Sequence, residues 1–192
     1  DEVLYYFYEL KKLLLPIVIL SFAYIISYSA IFRANFNYLD DMSRVDIGHK
    51  GWEYYSRYLS NFISRFFSVG NYLADASPLT QFAACVFLAS SGAVAIYAIS
   101  GKTKFSFWQY VAAMFFGMTP FFLECISYKY DSTFMALSIL ASVLPLFFFK
   151  GDNYIFYGLT VVVGMLGMCM TYQAASGIFP MFVAIIIFKM WN

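Results

Sequence analysis

Long apolar stretches alternate with short polar connections along most of this chain. A spanning helix needs roughly 20 apolar residues, because a rise of about 1.5 Å per residue must cross about 30 Å of hydrocarbon. Six stretches approach that requirement: residues 13–32, 79–99, 105–123, 133–149, 154–171 and 178–191. The first follows Lys11 and Lys12 in the manner of a signal anchor and is too long for a cleaved signal core. The last is the shortest. Pro120, Pro145 and Pro180 lie within or near these helices and are read as kink positions that neighbouring helices can re-satisfy. Gly158, Gly164 and Gly167 in the fifth stretch would let another backbone approach.

A different pattern governs residues 33–78, the long connection between the first two spans. Connections of this length are usually functional or disordered. From Trp52 onward the residues Trp52, Tyr55, Leu59, Phe62, Phe66 and Val69 recur at steps of three and four. Glu53, Arg57, Ser60, Asn61, Ser64 and Ser68 fill the remaining positions. This periodicity predicts an amphipathic helix lying in the membrane interface. The predicted fold is all-α: a single transmembrane domain over residues 1–192, a polytopic bundle of about six helices with an interfacial helix in its first outer loop.

Composition agrees with the pattern. Of 192 residues, 62% are hydrophobic, 22% aromatic and only 12% charged, too apolar for a water-soluble surface, so membrane lipid belongs to the solvent of this chain. A net charge of +1 gives no electrostatic reason to expect nucleic acid as a partner. The scattered cysteines Cys85, Cys125 and Cys169 form neither a disulfide framework nor a zinc site and read as small core residues. His49 is the only histidine, which excludes a histidine-based metal triad within the chain. Serine elbows, phosphate loops and dinucleotide fingerprints are absent. The start at Asp1 and the stop at Asn192, directly after an apolar stretch, lead us to expect the N-terminal part of a longer protein.

Lys11, Lys12, Lys102, Lys104, Lys150 and Lys189 fall on one side of the predicted bundle. Arg33, Arg44, Lys50, Arg57, Arg65 and Lys129 fall on the other. The raw counts tie, and the very short loops decide for a cytoplasmic lysine side and N-terminus. Every arginine is then external. The planar guanidinium fork suits phosphate recognition, whereas lysine suffices as a topological anchor.

The candidate chemistry lies on the arginine side. Asp40 and Asp41, in the run NYLDDMSRVDIGHKG, would stand close to the outer membrane surface. On an extended loop their side chains diverge, so one reaches into a cleft and the other holds backbone or a cation. A partly desolvated carboxylate has a raised pKa and can act as a general base toward a hydroxyl. Glu124, Lys129 and Asp131 in ECISYKYDS, and Tyr172 and Gln173 in TYQAASG, emerge on the same side, where a shared cleft could form.

The ordered set NYLDDMSR, GWEYYSRYLSNFIS, DASPLTQ, ECISYKYDSTFMALSILASVLP and TYQAASG resembles the type II glucosyltransferases of bacteria and their phages, which modify lipopolysaccharide O-antigen. The resemblance runs from the first span to the end of the chain and corresponds to the N-terminal part of a typical family member. It implies a multi-spanning glycosyltransferase of the C-type architecture in the bacterial inner membrane. Such an enzyme takes glucose from undecaprenyl phosphate glucose and passes it to an O-antigen sugar on the periplasmic side. It further implies that Asp40 or Asp41 supplies the base. Arg44, Arg57, Arg65 and Lys129 are the candidates to meet the charge developing on the donor phosphate, with or without a divalent metal. Glu124, Asp131, Tyr172 and Gln173 are expected to line the substrates. The alternative class is a transporter or flippase for a lipid-linked substrate, whose signature would be charge at mid-membrane depth.

Overall fold

The computed structural model describes residues 2–69, 72–149, 151 and 153–191. Lys150 and the side chain of Val69, both used in the reading above, lie outside the described residues. Among the described residues ten α-helices follow one another: α1 (Glu2–Ser27), α2 (Ser29–Ala34), α3 (Asp40–Ile47), α4 (Tyr58–Ile63), α5 (Leu79–Ser100), α6 (Phe107–Met114), α7 (Pro120–Ser127), α8 (Ser132–Val143), α9 (Tyr154–Cys169) and α10 (Ile178–Trp191). Short 3₁₀ turns stand at Trp52–Tyr55, Ser64–Phe67, Leu144–Phe148 and Gln173–Gly177. Two-residue strands, β1 (Ser68–Val69) and β2 (Tyr72–Leu73), pair antiparallel, with Ser68 opposite Leu73.

Among the described residues three helices are long and apolar enough to cross a membrane: Leu4–Ser27, Leu79–Ser100 and Gln173–Trp191. Ser132–Phe148 and Tyr154–Cys169 are shorter apolar helices. The central member is α5, which packs against α1, α6 and α8. Its small residues Ala84, Cys85, Ala89 and Ala93 are buried and let its neighbours close in. At Gly92 a Cβ would stand 2.7 Å from the carbonyl oxygen of Ala113, so only glycine allows α6 this close. On α1, Leu13, Leu20 and Tyr24 are buried one above another, and Tyr28, just beyond the helix end, is buried with them. Of the cysteines, Cys85 is in the core whereas Cys169 is exposed, so core packing does not account for all three.

The third predicted span, residues 105–123, is not one helix. It breaks into α6 and α7, separated by residues 115–119. Pro120 lacks an amide hydrogen and takes the first helical position of α7, while the Thr119 hydroxyl accepts from the amide of Phe122 at 3.2 Å. Breaking a helix frees carbonyl groups that must find donors. The Tyr24 hydroxyl lies 3.1 Å and 3.0 Å from the carbonyl oxygens of Ala113 and Met114, and the Tyr28 hydroxyl donates to Gly117. Pro145 likewise stands at the start of the turn that ends α8. Pro120 thus opens a new helix and Pro145 a 3₁₀ turn, and neither kinks a continuous α-helix.

The connections collect at two ends. At one, the 33–78 segment meets residues 128–131 and 170–173. At the other, the Tyr6 hydroxyl donates to the Phe148 carbonyl at 3.3 Å and Lys189 donates to the carbonyl of Ile99.

The predicted interfacial helix over 52–69 is also broken, into Trp52–Tyr55, α4 and Ser64–Phe67. Its polarity runs opposite to a core-facing amphipathic helix. Ser60 and Ser64 are buried against the protein, while Phe62 and Phe66 are 54% and 79% exposed. Tyr54, Tyr55 and Tyr58 are exposed with them, giving the aromatic face expected at a headgroup boundary. Arg57 precedes α4 and Arg65 lies in the following turn, so the two arginines do not share one regular helical face.

Candidate functional site

Leu39 carries φ 43° immediately before α3, a backbone conformation costly for a residue with a branched side chain. Asp40 and Asp41 therefore open a helix rather than sit on an extended loop, and their side chains part company there. Asp41 is fully buried. Its Oδ2 accepts from the amides of Lys129 at 2.9 Å and Tyr38 at 3.2 Å, and its Oδ1 from that of Tyr130 at 3.4 Å. Burial pushes its pKa up, and the backbone amides pull it partly back. Asp40, one residue earlier, is exposed.

One turn further along α3, Arg44 occupies the same buried face as Asp41. It forms an ion pair with Asp131, Nη2 to Oδ2 2.9 Å. The Trp52 indole N–H donates to the same carboxylate, and the guanidinium lies 4.2 Å from the Trp52 ring centre and donates to the Lys50 carbonyl. Lys129 is buried and pairs with Asp75 at 3.3 Å. Thr80 donates to the Lys129 carbonyl at 2.7 Å, and Gln81 to that of Ile126 at 3.0 Å. These contacts pin the first loop onto the head of α8 and the start of α5. Arg44, Lys129 and Asp131 thus have protein partners within the interior.

The open part of this region holds the other residues. The Tyr38 and Tyr128 rings meet edge to face at 5.0 Å. Partial burial pushes the Tyr128 hydroxyl up to about 12, and the carboxylates of Asp40 and Glu124 push the same way. Both acids are exposed. Tyr172 is raised by burial as well, and the nearby Arg57 opposes that shift. The Arg57 guanidinium lies 4.6 Å from the Tyr172 ring centre and 5.3 Å from that of Tyr55. Its Nε is buried without a hydrogen-bond partner. Gln173 donates to the Tyr55 carbonyl at 3.0 Å, and the amide of Leu59 to the Met170 carbonyl at 3.1 Å, which fastens the 170–173 turn to α4.

The three segments singled out in the sequence therefore meet at one end of the molecule and divide into two layers. A buried layer contains Asp41, Arg44, Lys129 and Asp131. An open layer contains Asp40, Glu124, Arg57, Tyr172 and Gln173, together with Tyr38 and Tyr128. Arg65 is exposed beside the Phe62 ring, 5.8 Å away. Sequence reasoning passed over Tyr128, Tyr38, Trp52 and Asp75. Tyr128 lies inside ECISYKYDS, and its place between Glu124 and Asp131 was the available signal; Trp52 and Asp75 fall inside GWEYYSRYLSNFIS and DASPLTQ, where nothing local marked them as partners of Asp131 and Lys129. No group of three or more His, Cys, Asp or Glu side chains that could hold a metal occurs among the described residues.

An exposed carboxylate, a neutral phenol and a stacked guanidinium at one end of the molecule can take a proton, donate a hydrogen bond and meet an anion. A protein of Salmonella phage P22, described as an uncharacterized 55.3 kDa protein in the gtrB 5' region, is 33% identical over 130 residues, 66% of this chain. The match covers 26% of that protein, so the chain spans about a quarter of its relative's length. No solved structure matches. The family model described as glucosyl transferase GtrII matches residues 29–191, nearly the whole chain, which therefore belongs to that family.

Proposed function

We propose that this chain forms the N-terminal, site-bearing part of a membrane glucosyltransferase. In this reading it moves glucose from a polyprenyl-phosphate donor, undecaprenyl phosphate glucose, to an O-antigen sugar at the periplasmic face of the inner membrane. The observation that carries the reading is the split between the adjacent acids: Asp41 spends its acceptors on three backbone amides, while Asp40 is exposed near Tyr128. Asp40 takes the proton of the acceptor hydroxyl as that oxygen attacks the anomeric carbon. The bond from that carbon to the phosphate oxygen breaks, and the lipid phosphate leaves with the bonding pair. Arg57, whose buried Nε has no protein acceptor, meets the charge that develops there.

Membrane placement follows from the same reading. With the lysine end cytoplasmic, the aromatic face of Tyr54, Tyr55, Tyr58, Phe62 and Phe66 rests at the outer headgroup level. The open layer then lies where a lipid-linked phosphate and a periplasmic acceptor can both reach it. Residues 105–127 and the shorter helices α8 and α9 complete a C-type bundle of about six spans. Transport is the weaker reading, because the charged residues of the site gather at one end of the helices.

The test is single substitution in the intact gene product. Asp40→Asn is expected to abolish glucosyl transfer while leaving membrane insertion and thermal stability unchanged. Asp41→Asn is expected to lower stability first. Full transfer by a normally inserted Asp40→Asn variant would remove Asp40 from the mechanism.

A further inference from the structure

At the end of the bundle opposite the acidic and aromatic residues lies a concavity of about 990 Å³. Helix α1 supplies Glu9, Lys11, Lys12, Leu15 and Pro16 to its wall, and the α5–α6 connection supplies Lys102, Lys104 and Phe105. Four ammonium groups thus face one carboxylate. The carboxylate is already engaged, since Glu9 pairs with Lys12 at 2.6 Å. Among the described residues Lys11, Lys102 and Lys104 have no acidic partner, and Lys102 and Lys104 are exposed.

Like charges gathered around one cavity repel one another unless an anion lies between them. The C-terminus of α5, which would oppose an anion through its free carbonyls, is already covered. The Gly101 amide donates to the Tyr97 carbonyl at 2.8 Å, and Lys189 donates to that of Ile99. Below the lysines the wall turns apolar at Leu15 and Phe105. The surface of α1 continues away from the cavity through exposed Leu14, Val18 and Ile19. A cationic rim over an apolar floor, next to a helix of membrane-crossing length, matches an amphiphile better than a soluble anion.

We propose that this cleft binds the phosphate of an anionic phospholipid headgroup, with the start of the acyl chains on Leu15 and the α1 surface. The shared chemistry is a phosphate among ammonium groups, which inorganic phosphate could also supply. This cleft is separate from the proposed transferase site and does not depend on it.

The experiment measures binding of phosphatidylglycerol, phosphatidylcholine and inorganic phosphate to the intact protein in a neutral detergent. Basic residues near an anionic lipid surface each contribute about a fivefold preference, so Lys102→Gln/Lys104→Gln should weaken phosphatidylglycerol binding about 25-fold. Phosphatidylcholine should bind weakly to both proteins, and Arg33→Gln, at the opposite end, should change nothing. Equal phosphatidylglycerol affinity in the parent and the double variant overturns the proposal. So does complete displacement of phosphatidylglycerol by millimolar inorganic phosphate, which would identify a soluble-anion site instead. Both lysines are exposed, and a thermal unfolding midpoint of the double variant matching that of the parent reports that it is folded.

Discussion

Arg44 and Asp131, 87 positions apart, meet in a buried ion pair whose guanidinium lies on the Trp52 ring and whose carboxylate also receives the Trp52 N–H. Neither charge is free to act on a ligand without abandoning the other. Removing one partner of such a pair leaves an uncompensated buried charge, at a cost of about 3–5 kcal/mol. Arg44→Ala should therefore destabilise the protein by an amount in that range. The double variant Arg44→Ala/Asp131→Ala should lose less than the sum of the two single losses. Unfolding of detergent-solubilised protein, with limited proteolysis of the 33–78 segment, measures both. A stable Arg44→Ala protein that has lost only transfer would instead place Arg44 on the donor phosphate.

Asp41 makes the pH dependence of the same junction opposite to ordinary acid unfolding. Its pKa in the folded protein lies above the usual carboxylate value, so the folded state holds the proton more tightly than the unfolded chain does. Its contribution is present in full below the unfolded pKa and is lost as pH rises through the folded one. Mild acidification should thus keep the first loop docked, and the stability slope in that window should vanish in Asp41→Asn. Unfolding midpoints measured from neutral to mildly acid pH, compared between parent and variant, read this directly.

Tyr128 is held protonated up to about pH 12, so throughout the working range it is a hydrogen-bond donor and not a base. Losing one such bond at the reacting centre is worth about 1–1.5 kcal/mol, or roughly tenfold in rate. Tyr128→Phe should lower transfer by about that factor without altering the pH–rate profile. A new or shifted limb near neutrality in the variant would show that the phenol titrates during turnover.

The meeting of three loops was legible because each carried charged or polar residues between apolar runs, and alternating spans send alternate loops to the same end. The division of Asp40 from Asp41 was legible in kind but not in cause. An extended loop was the wrong geometry, and a helical start after the strained Leu39 does the separating. Arg44 stands three residues after Asp41, and its pairing with Asp131 was not legible in the sequence. On a helix, that three-residue step puts both on the inward face, and the partner that consumes Arg44 lies too far along the chain to leave a local trace. The helix expected over 52–69 is broken into three short pieces but keeps an exposed aromatic face. Periodicity identifies a stripe of one polarity, and whether that stripe faces protein or surroundings depends on partners such as the Met170 and Thr171 carbonyls, which take the Leu59 amide and the Ser60 hydroxyl. In the 105–123 stretch hydropathy alone could not register that Pro120 forces a restart, although the Thr-Pro pair was visible.

Arg57 offers the sharpest separation between charge and shape. Its guanidinium is stacked on Tyr172, while the adjacent Nε is buried with no acceptor. A lysine there would keep the positive charge but could neither stack as a plane nor present two parallel donors to a phosphate. If Arg57 only attracts anionic lipid to the interface, Arg57→Lys should behave like the parent. If it meets the leaving phosphate, Arg57→Lys should lose about 100-fold in turnover, the scale of removing one positioned donor from a developing anion. The stacking platform makes a second, independent demand. Tyr172→Phe preserves the ring and should retain most activity, whereas Tyr172→Ala removes it and should approach the Arg57→Lys defect. Because arginine is held by the ring before donor arrives, the loss in both defective variants should fall on turnover more than on the KM for donor. Steady-state transfer measured for the three variants decides between the two roles, and a parent-like Arg57→Lys would reduce Arg57 to a lipid anchor.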